Sequence, residues 1–446
     1  MRKLFSKVWN DDTGNVLVIM GATMPLLIGA AGLATDTVQW TLWKRQLQRA
    51  ADSAAIAGVY ERLEVGANST KVSAAVTKDL SINQHTGIAL NTGFPKTHLL
   101  ADDGTKVQRV RVELQVSRPL SFSGMFMSSA PAIYAEATAA SVPGTDAYCV
   151  VSLEDTSETG ITGSGNAGVE MDCGMITNSI ATNSAIAKGS VKMKASVIAS
   201  VGGIQKSDNW EVRKYDPYVS KMKDPYANID PTTAEMKCQA QKIVVQGGQN
   251  VTTTELVQLT PTTYASSPKT AGGDKVNCFS GLSVSPGETL ALDPGIYYIS
   301  GGDVNIQGTV TGNDVTIVLT NMDPISTAPI GNFTMNASGV LNIDAPNTGK
   351  YAGIAVFQDR RATTSKKGSP NKVNGSSAGQ VIGALYFPKQ GLTYNGDGTT
   401  TAICTRFVTR RITFSGNNTT SNKFKKDCAG EGVATFEGGR LIRLVA

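Results

Sequence analysis

The chain has 446 residues, 17% of them charged and 41% hydrophobic, which excludes both a highly charged disordered chain and a polytopic membrane protein. It is long enough for two or three domains, each with its own core. The formal charge of +5 comes without a dense Lys/Arg stripe, so nucleic acid is not an expected partner, and two histidines (His85 and His98) weigh against His-rich metal sites and a Ser-His-Asp triad.

Residues 1–15 form a short basic tail with Arg2, Lys3 and Lys7. Residues 16–34 (VLVIMGATMPLLIGAAGLA) carry no charge, and 19 residues at 1.5 Å each span about 28 Å, enough for a bilayer core of about 30 Å. Pro25 is tolerated in such a helix. A cleaved signal peptide is the competing reading, but the helical pattern continues beyond the span, which favours an uncleaved anchor. Lys44, Arg45 and Arg49 balance the basic residues before the span, so the positive-inside count is a tie. Cysteine usage breaks it in favour of a cytoplasmic N-terminus, with the bulk of the chain periplasmic or surface-facing. Trp40 and Trp43 sit where an interfacial aromatic belt would hold the outer end.

From Asp36 to Leu63 the pattern stays helical. Leu47, Ala51, Ala54, Ala55 and Gly58 recur at three- and four-residue spacing and make a narrow small-residue packing face. Such a face lets a neighbouring element approach closely, either another subunit or the rest of this domain. The predicted rod from Val16 to Leu63 is about 70 Å long.

The run Gly14-Asn15-Val16, then Pro25-Leu26-Leu27, Gly32, Asp36 and Arg45-Gln46-Leu47-Gln48-Arg49-Ala50-Ala51-Asp52-Ser53-Ala54-Ala55-Ile56-Ala57-Gly58 resembles the N-terminal region of TadG-like proteins of the Flp (tight adherence) pilus-assembly machinery. The resemblance implies a single-pass bacterial inner-membrane protein that takes part in pilus assembly or anchoring. Its implied partners are other pilus-assembly or pseudopilin subunits. Two features depart from relatives of that machinery. Ile19 stands five residues after Gly14, where pseudopilins carry Glu, so prepilin-peptidase processing is not expected. Asp155-Thr156-Ser157-Glu158-Thr159 is the nearest approach to a von Willebrand A metal motif, and the Gly/Ser/Asn-rich sequence after it lacks the strand–helix alternation that domain needs.

Residues 35–145 read as a pilin-like membrane-proximal domain, with strands predicted at Val107–Val116 and Ala132–Val142. From 146 to 446 short apolar runs alternate with Gly, Asn, Asp, Ser and Thr: Gly168–Met175, Val191–Ile198, Gly295–Ile299, Val304–Ile306, Val315–Leu319, Val340–Ile343, Gly353–Phe357, Val381–Phe387 and Ile412–Phe414. This texture suits a parallel β-helix or a β-sandwich, and phrases such as DPGIYYISGGDVNIQG favour the β-helix. An insertion near 205–285 interrupts it, with a helical turn predicted around Thr232–Val245 that packs over one face or end. The fold class is thus α+β: one transmembrane helix running into a pilin-like domain, followed by a mainly-β domain.

Six cysteines (Cys149, Cys173, Cys238, Cys278, Cys404 and Cys428) form no CxxC pair, which suits disulfides outside the cytosol. Fifteen connectivities are open, sequential pairing is the simplest, and buried free thiols are the alternative. Gly163-Ser164-Gly165-Asn166-Ala167-Gly168 matches G-x-G-x-x-G by letter but precedes a strand-like run, so it reads as a turn. Asp344, Asp359 and Asp397, with Arg360 and Arg361 nearby, are the carboxylates a glycan-cleaving β-helix could use, although turn capping explains such residues equally well. Lys366-Lys367, Arg410-Arg411 and Lys423–Lys426 read as solvated loops, with an anionic surface such as phospholipid or polysaccharide as the alternative. No catalytic, metal or cofactor site is expected. The alternatives to a pilus-assembly role are an anchored adhesin or module that binds cell-envelope glycan, and after it a glycan-cleaving enzyme.

Overall fold

The computed structural model describes residues 15–83, 89–231, 242–247, 250–252, 276–322, 329–365, 368–375, 379–396, 404–416, 421–425, 428 and 436–445. His85, Cys238, Lys366, Lys367, Asp397, Lys426 and the tail before Asn15 lie outside them. The chain divides into two compact units, Met1–Val142 with Leu441–Ala446, and Pro143–Arg440.

The first unit is built on helix α1, Asn15–Val65, which runs without interruption through Pro25. Its 51 residues make a rod about 76 Å long. The N-terminal part is long and apolar enough to cross a membrane, and its large side chains from Ile19 to Leu33 are exposed. A second helix, α2 (Ser69–Asn83), follows. It stands between the long helix and the strands, in a stretch for which the sequence reading named no element. Asn68 caps it by accepting from the Lys71 amide at 3.1 Å, and Val72, Val76 and Leu80 give it a buried stripe at four-residue spacing. Strands β1 (Lys96–Leu99), β2 (Val107–Ser117) and β3 (Ala132–Ser152) pair antiparallel in sequence order. On β2, Val110, Val112, Leu114 and Val116 alternate inward to meet α1 and α2 in one core. Chain-terminal residues also belong to this unit: Ile442 packs on its core, and the Val445 amide donates to the Thr138 carbonyl at 2.8 Å.

The second unit is mostly β, with strands joined almost entirely in parallel. One ladder joins Val276–Phe279, Gly295–Ser300, Val315–Thr320, Ile354–Gln358, Val381–Gly396, Thr405–Phe414, the end of β3, Gly174–Thr177, Ile198–Ser200 and Tyr215–Pro217 in turn. A second runs from Ile243–Val245 through Leu282–Val284, Val304–Ile306, Phe333–Met335, Asn371–Gly375 and the later parts of Val381–Gly396 and Thr405–Phe414 to Ile161–Gly163 and Ala185–Ala187. A third joins Asn250–Thr252, Thr289–Leu292, Thr309–Gly312, Val340–Asp344 and the start of Val381–Gly396. A separate four-stranded sheet joins Ser421–Phe424, Gly168–Met171, Lys192–Ala195 and Trp210–Val212.

The ladder order is not the chain order. Residues 148–217 stack beyond Thr405–Phe414, a strand that comes about 190 to 260 residues later in the chain. The chain must therefore travel back from Pro217 to Ile243, and Val219–Asp230 lie on that return path. Val219 and Met222 are buried along it, and the Asn178 side chain exchanges hydrogen bonds with the Met222 backbone at 2.8 Å. Tyr226 packs edge-on to Tyr386, which stacks on Phe357, which meets Tyr351 in turn. This covered aromatic row is why strands such as Ile354–Gln358 are buried at every residue. The sequence-predicted insertion is in part this return segment, but Ile243–Val245 is a strand and not the end of a helical turn. Residues 232–241 lie outside the described residues.

Candidate functional site

The small-residue face of α1 is occupied by its own unit. Leu47, Ala51, Ala54, Ala55 and Gly58 are buried and enclosed with Val72, Val76, Leu80, Val110 and Val112. A Cβ at Gly58 would stand 2.8 Å from Val110 Cγ1, so the missing side chain is what lets β2 approach. Of the two neighbours the spacing left open, another subunit or the rest of this domain, the second is the one that packs on these residues.

The free part of α1 lies earlier, and one loop is fastened to it. Between β2 and β3 the chain makes a turn at Ser123–Met125. Asp36, 3% exposed, accepts from the Phe122 amide at 2.8 Å and the Ser123 amide at 2.5 Å, and the Ser123 hydroxyl also donates to it. A carboxylate with three donors is the kind of charged hydrogen bonding that holds a loop in place. Gln39 reinforces it by donating to the Ser121 hydroxyl at 2.8 Å. The Phe122 ring lies over Gly32, where an added Cβ would come within 2.2 Å of it. Trp43, one turn beyond Gln39, carries the Arg118 guanidinium 5.4 Å above its ring. Sequence reasoning missed this loop. Its signal was a run of 17 residues, Pro119–Ala135, with no charge in it.

In the second unit the sequence-predicted groups have structural partners. Cys149–Cys173 and Cys404–Cys428 are disulfides, each with Cα atoms 5.8 Å apart, and Cys278 is disulfide-bonded as well. Asp359 is held by Arg361 at 2.7 Å and by the Thr320 hydroxyl at 2.7 Å. Asp344 ends Val340–Asp344 in the third ladder, whereas Asp359 follows Ile354–Gln358 in the first, so the two lie on different ladders. Arg360 reaches the return segment, bonding Asp230 at 2.6 Å and donating to the Tyr386 hydroxyl at 3.0 Å. Burial pushes the Tyr386 phenol far up and the Asp224 charge adds to it, so its hydroxyl stays protonated and donates to Asp224 at 2.7 Å.

Arg410 and Arg411 correct the solvated-loop reading. Arg410 makes a two-point bond to the fully buried Glu154, at 2.9 and 3.0 Å, and Arg411 approaches the same carboxylate at 3.5 Å. Asp155, in the segment compared with a metal motif, pairs with Lys221 at 3.2 Å. No group of three or more His, Cys, Asp or Glu among the described residues is arranged to hold a metal. His98 lies 3.3 Å from Glu113 across the β1–β2 pair. Ser164–Ala167 join two strands, and Gly165 takes φ +77°, so the glycine cluster is a turn.

No curated protein and no solved structure matches the chain. The family finding falls on the helix that carries the fastened loop: residues 14–64 match the family model of Flp pilus-assembly TadE/G-like proteins, a segment that covers α1 except for its last residue.

Proposed function

We propose that this protein is a membrane-anchored component of Flp-type pilus assembly or surface anchoring that acts through protein–protein contacts and not by catalysis. The observation that carries the reading is the family match on α1, residues 14–64. The exposed apolar stretch at the start of the helix supports a single inner-membrane span, with the tail before it in the cytoplasm. The two disulfides support a periplasmic or surface-facing bulk. In the second unit three parallel ladders share one apolar core, which supports a parallel β-helix: a stiff body suited to presenting a surface to other pilus-assembly subunits.

The adhesin reading calls for exposed aromatic platforms. Among the described residues of the second unit Tyr218 is an isolated exposed ring, so this reading stays second. Counting pili by electron microscopy in a deletion strain tests the proposal. Loss of pili, restored by the full chain but not by one whose residues 16–34 are exchanged for an unrelated span, is expected. Normal pili with lost surface attachment would replace the assembly role with adhesion.

A further inference from the structure

We propose that the β2–β3 loop is a second membrane contact, with its Phe122–Met127 turn bedded in the interfacial layer of the phospholipid bilayer that α1 crosses. The inference rests on the reading of α1 as a span. It adds a lipid-binding surface that the helix alone does not supply.

Three observations converge on it. The first is depth. Phe122 packs over Gly32, inside the uncharged run, and Asp36, which fixes the turn, is only two residues past Ala34, about 3 Å along the axis. The loop is thus tied to the last turn of the apolar stretch and not to the charged part of the rod. The second is exposure. Met125 is 78% exposed, Phe126 77% and Met127 47%, and on α1 Leu33 and Trp40, which helical spacing places on the same side as Asp36, are exposed as well. A polypeptide loop in water seldom presents three consecutive large apolar side chains, and such a patch marks a protein or membrane contact.

The third is rigidity and charge. The Gly124, Met125, Phe126 and Met127 amides donate back within the turn, to Leu120, Phe122 and Ser123 carbonyls, and Phe122 meets Phe126 edge-on at 5.4 Å. The apolar side chains are therefore held outward by structure. Basic groups lie only at the loop's base: Arg118 over Trp43, and Lys44 donating to the Tyr134 carbonyl. An apolar tip with cations and an indole behind it matches the order of acyl chain, interface and phosphate in a leaflet.

The test uses the full chain in vesicles of phosphatidylethanolamine and phosphatidylglycerol, with a nitroxide on a single introduced cysteine. Met125→Cys and Phe126→Cys report on the turn, Leu26→Cys on the span, and Ile82→Cys on an exposed site of α2. Collisions with oxygen, which partitions into lipid, are compared with those of a water-soluble nickel chelate. The expected result is a shift toward oxygen at 125 and 126, in the same direction as at 26 and opposite to 82. Water-like readings at 125 and 126 with a lipid-like 26 would overturn the loop contact and leave the span standing. A water-like 26 would instead overturn the span reading itself. Protection of 125 and 126 from both reagents would mean that protein covers the turn, which would also overturn a lipid contact.

Discussion

Glu154 is the most exacting place to test the second unit, because it sits where early strands of that unit meet Thr405–Phe414, about 250 residues later in the chain. Its carboxylate is 0% exposed and joins Arg410 and Arg411, 16% and 10% exposed, while the Thr156 hydroxyl donates to it at 2.7 Å. In Glu154→Ala two guanidinium groups lose their counter-charge in a nearly dry site. Removing one partner of a buried pair costs about 3–5 kcal/mol, and the partial exposure of Arg410 places the expected loss near the lower end, about 3 kcal/mol. Arg410→Ala leaves Glu154 with Arg411 and Thr156, so its cost is smaller, and the double variant is expected to fall short of the sum by about 0.5–3 kcal/mol. Urea unfolding in detergent measures this, read from Trp210 after replacing Trp9, Trp40 and Trp43 with Phe, so that only the second unit is followed. A loss below about 1 kcal/mol, the level of an exposed ion pair, would refute the argument.

Gly58→Leu is expected to destabilise the first unit by about 1–3 kcal/mol through overpacking against Val110 and Val76. Ala57→Leu, one position away on a half-exposed site, is the control in the same thermal melt, and equal losses would count against the packing argument. Peptide mapping without reductant should recover Cys149 linked to Cys173 and Cys404 linked to Cys428. Replacing Cys404 and Cys428 with Ser is expected to cost about 2–4 kcal/mol in the Trp210 transition, and no loss would show that the bridge is incidental.

The helix was legible because two independent patterns agreed, an uncharged run and small residues at helical spacing. The stripe Val72, Val76, Leu80 behind Asn68 offered the same kind of signal for α2, and it was obscured by the polar residues around it. Strands were legible as short apolar runs, but their stacking was not. Ile296 pairs with Thr316, 20 residues on, Ile317 with Val356, 39 on, and Met175 with Ile198, 23 on, so no fixed period exists to be found. Arg410 and Arg411 look like any surface pair until Glu154, 256 residues earlier, is placed beside them. The fastened loop depends on Asp36 meeting residues more than 80 positions away. Local composition marks such residues as polar or apolar without saying what they face.

The ladder order carries a consequence for folding. Val150–Ser152 and Ile161–Gly163 have partners on one side from nearby sequence, but on the other side only from Thr405–Phe414. That contact closes a loop of more than 250 residues, so it is entropically costly and slow to form. Until it forms, both strands present open backbone edges of the kind that pair with other chains. A chain ended after Gly396 is therefore expected to keep the pairing of Met175 with Ile198 but to lose amide protection at Leu153, which donates to the Thr409 carbonyl at 2.7 Å, and at Ser164, which donates to Phe414 at 2.9 Å. It should also aggregate more readily than the full chain. Hydrogen exchange followed by mass spectrometry reads both sites. Retained protection at 153 and 164 would mean that the earlier strands complete themselves without the later ones, and that the seam, Glu154 included, is an accessory to the fold and not its closure.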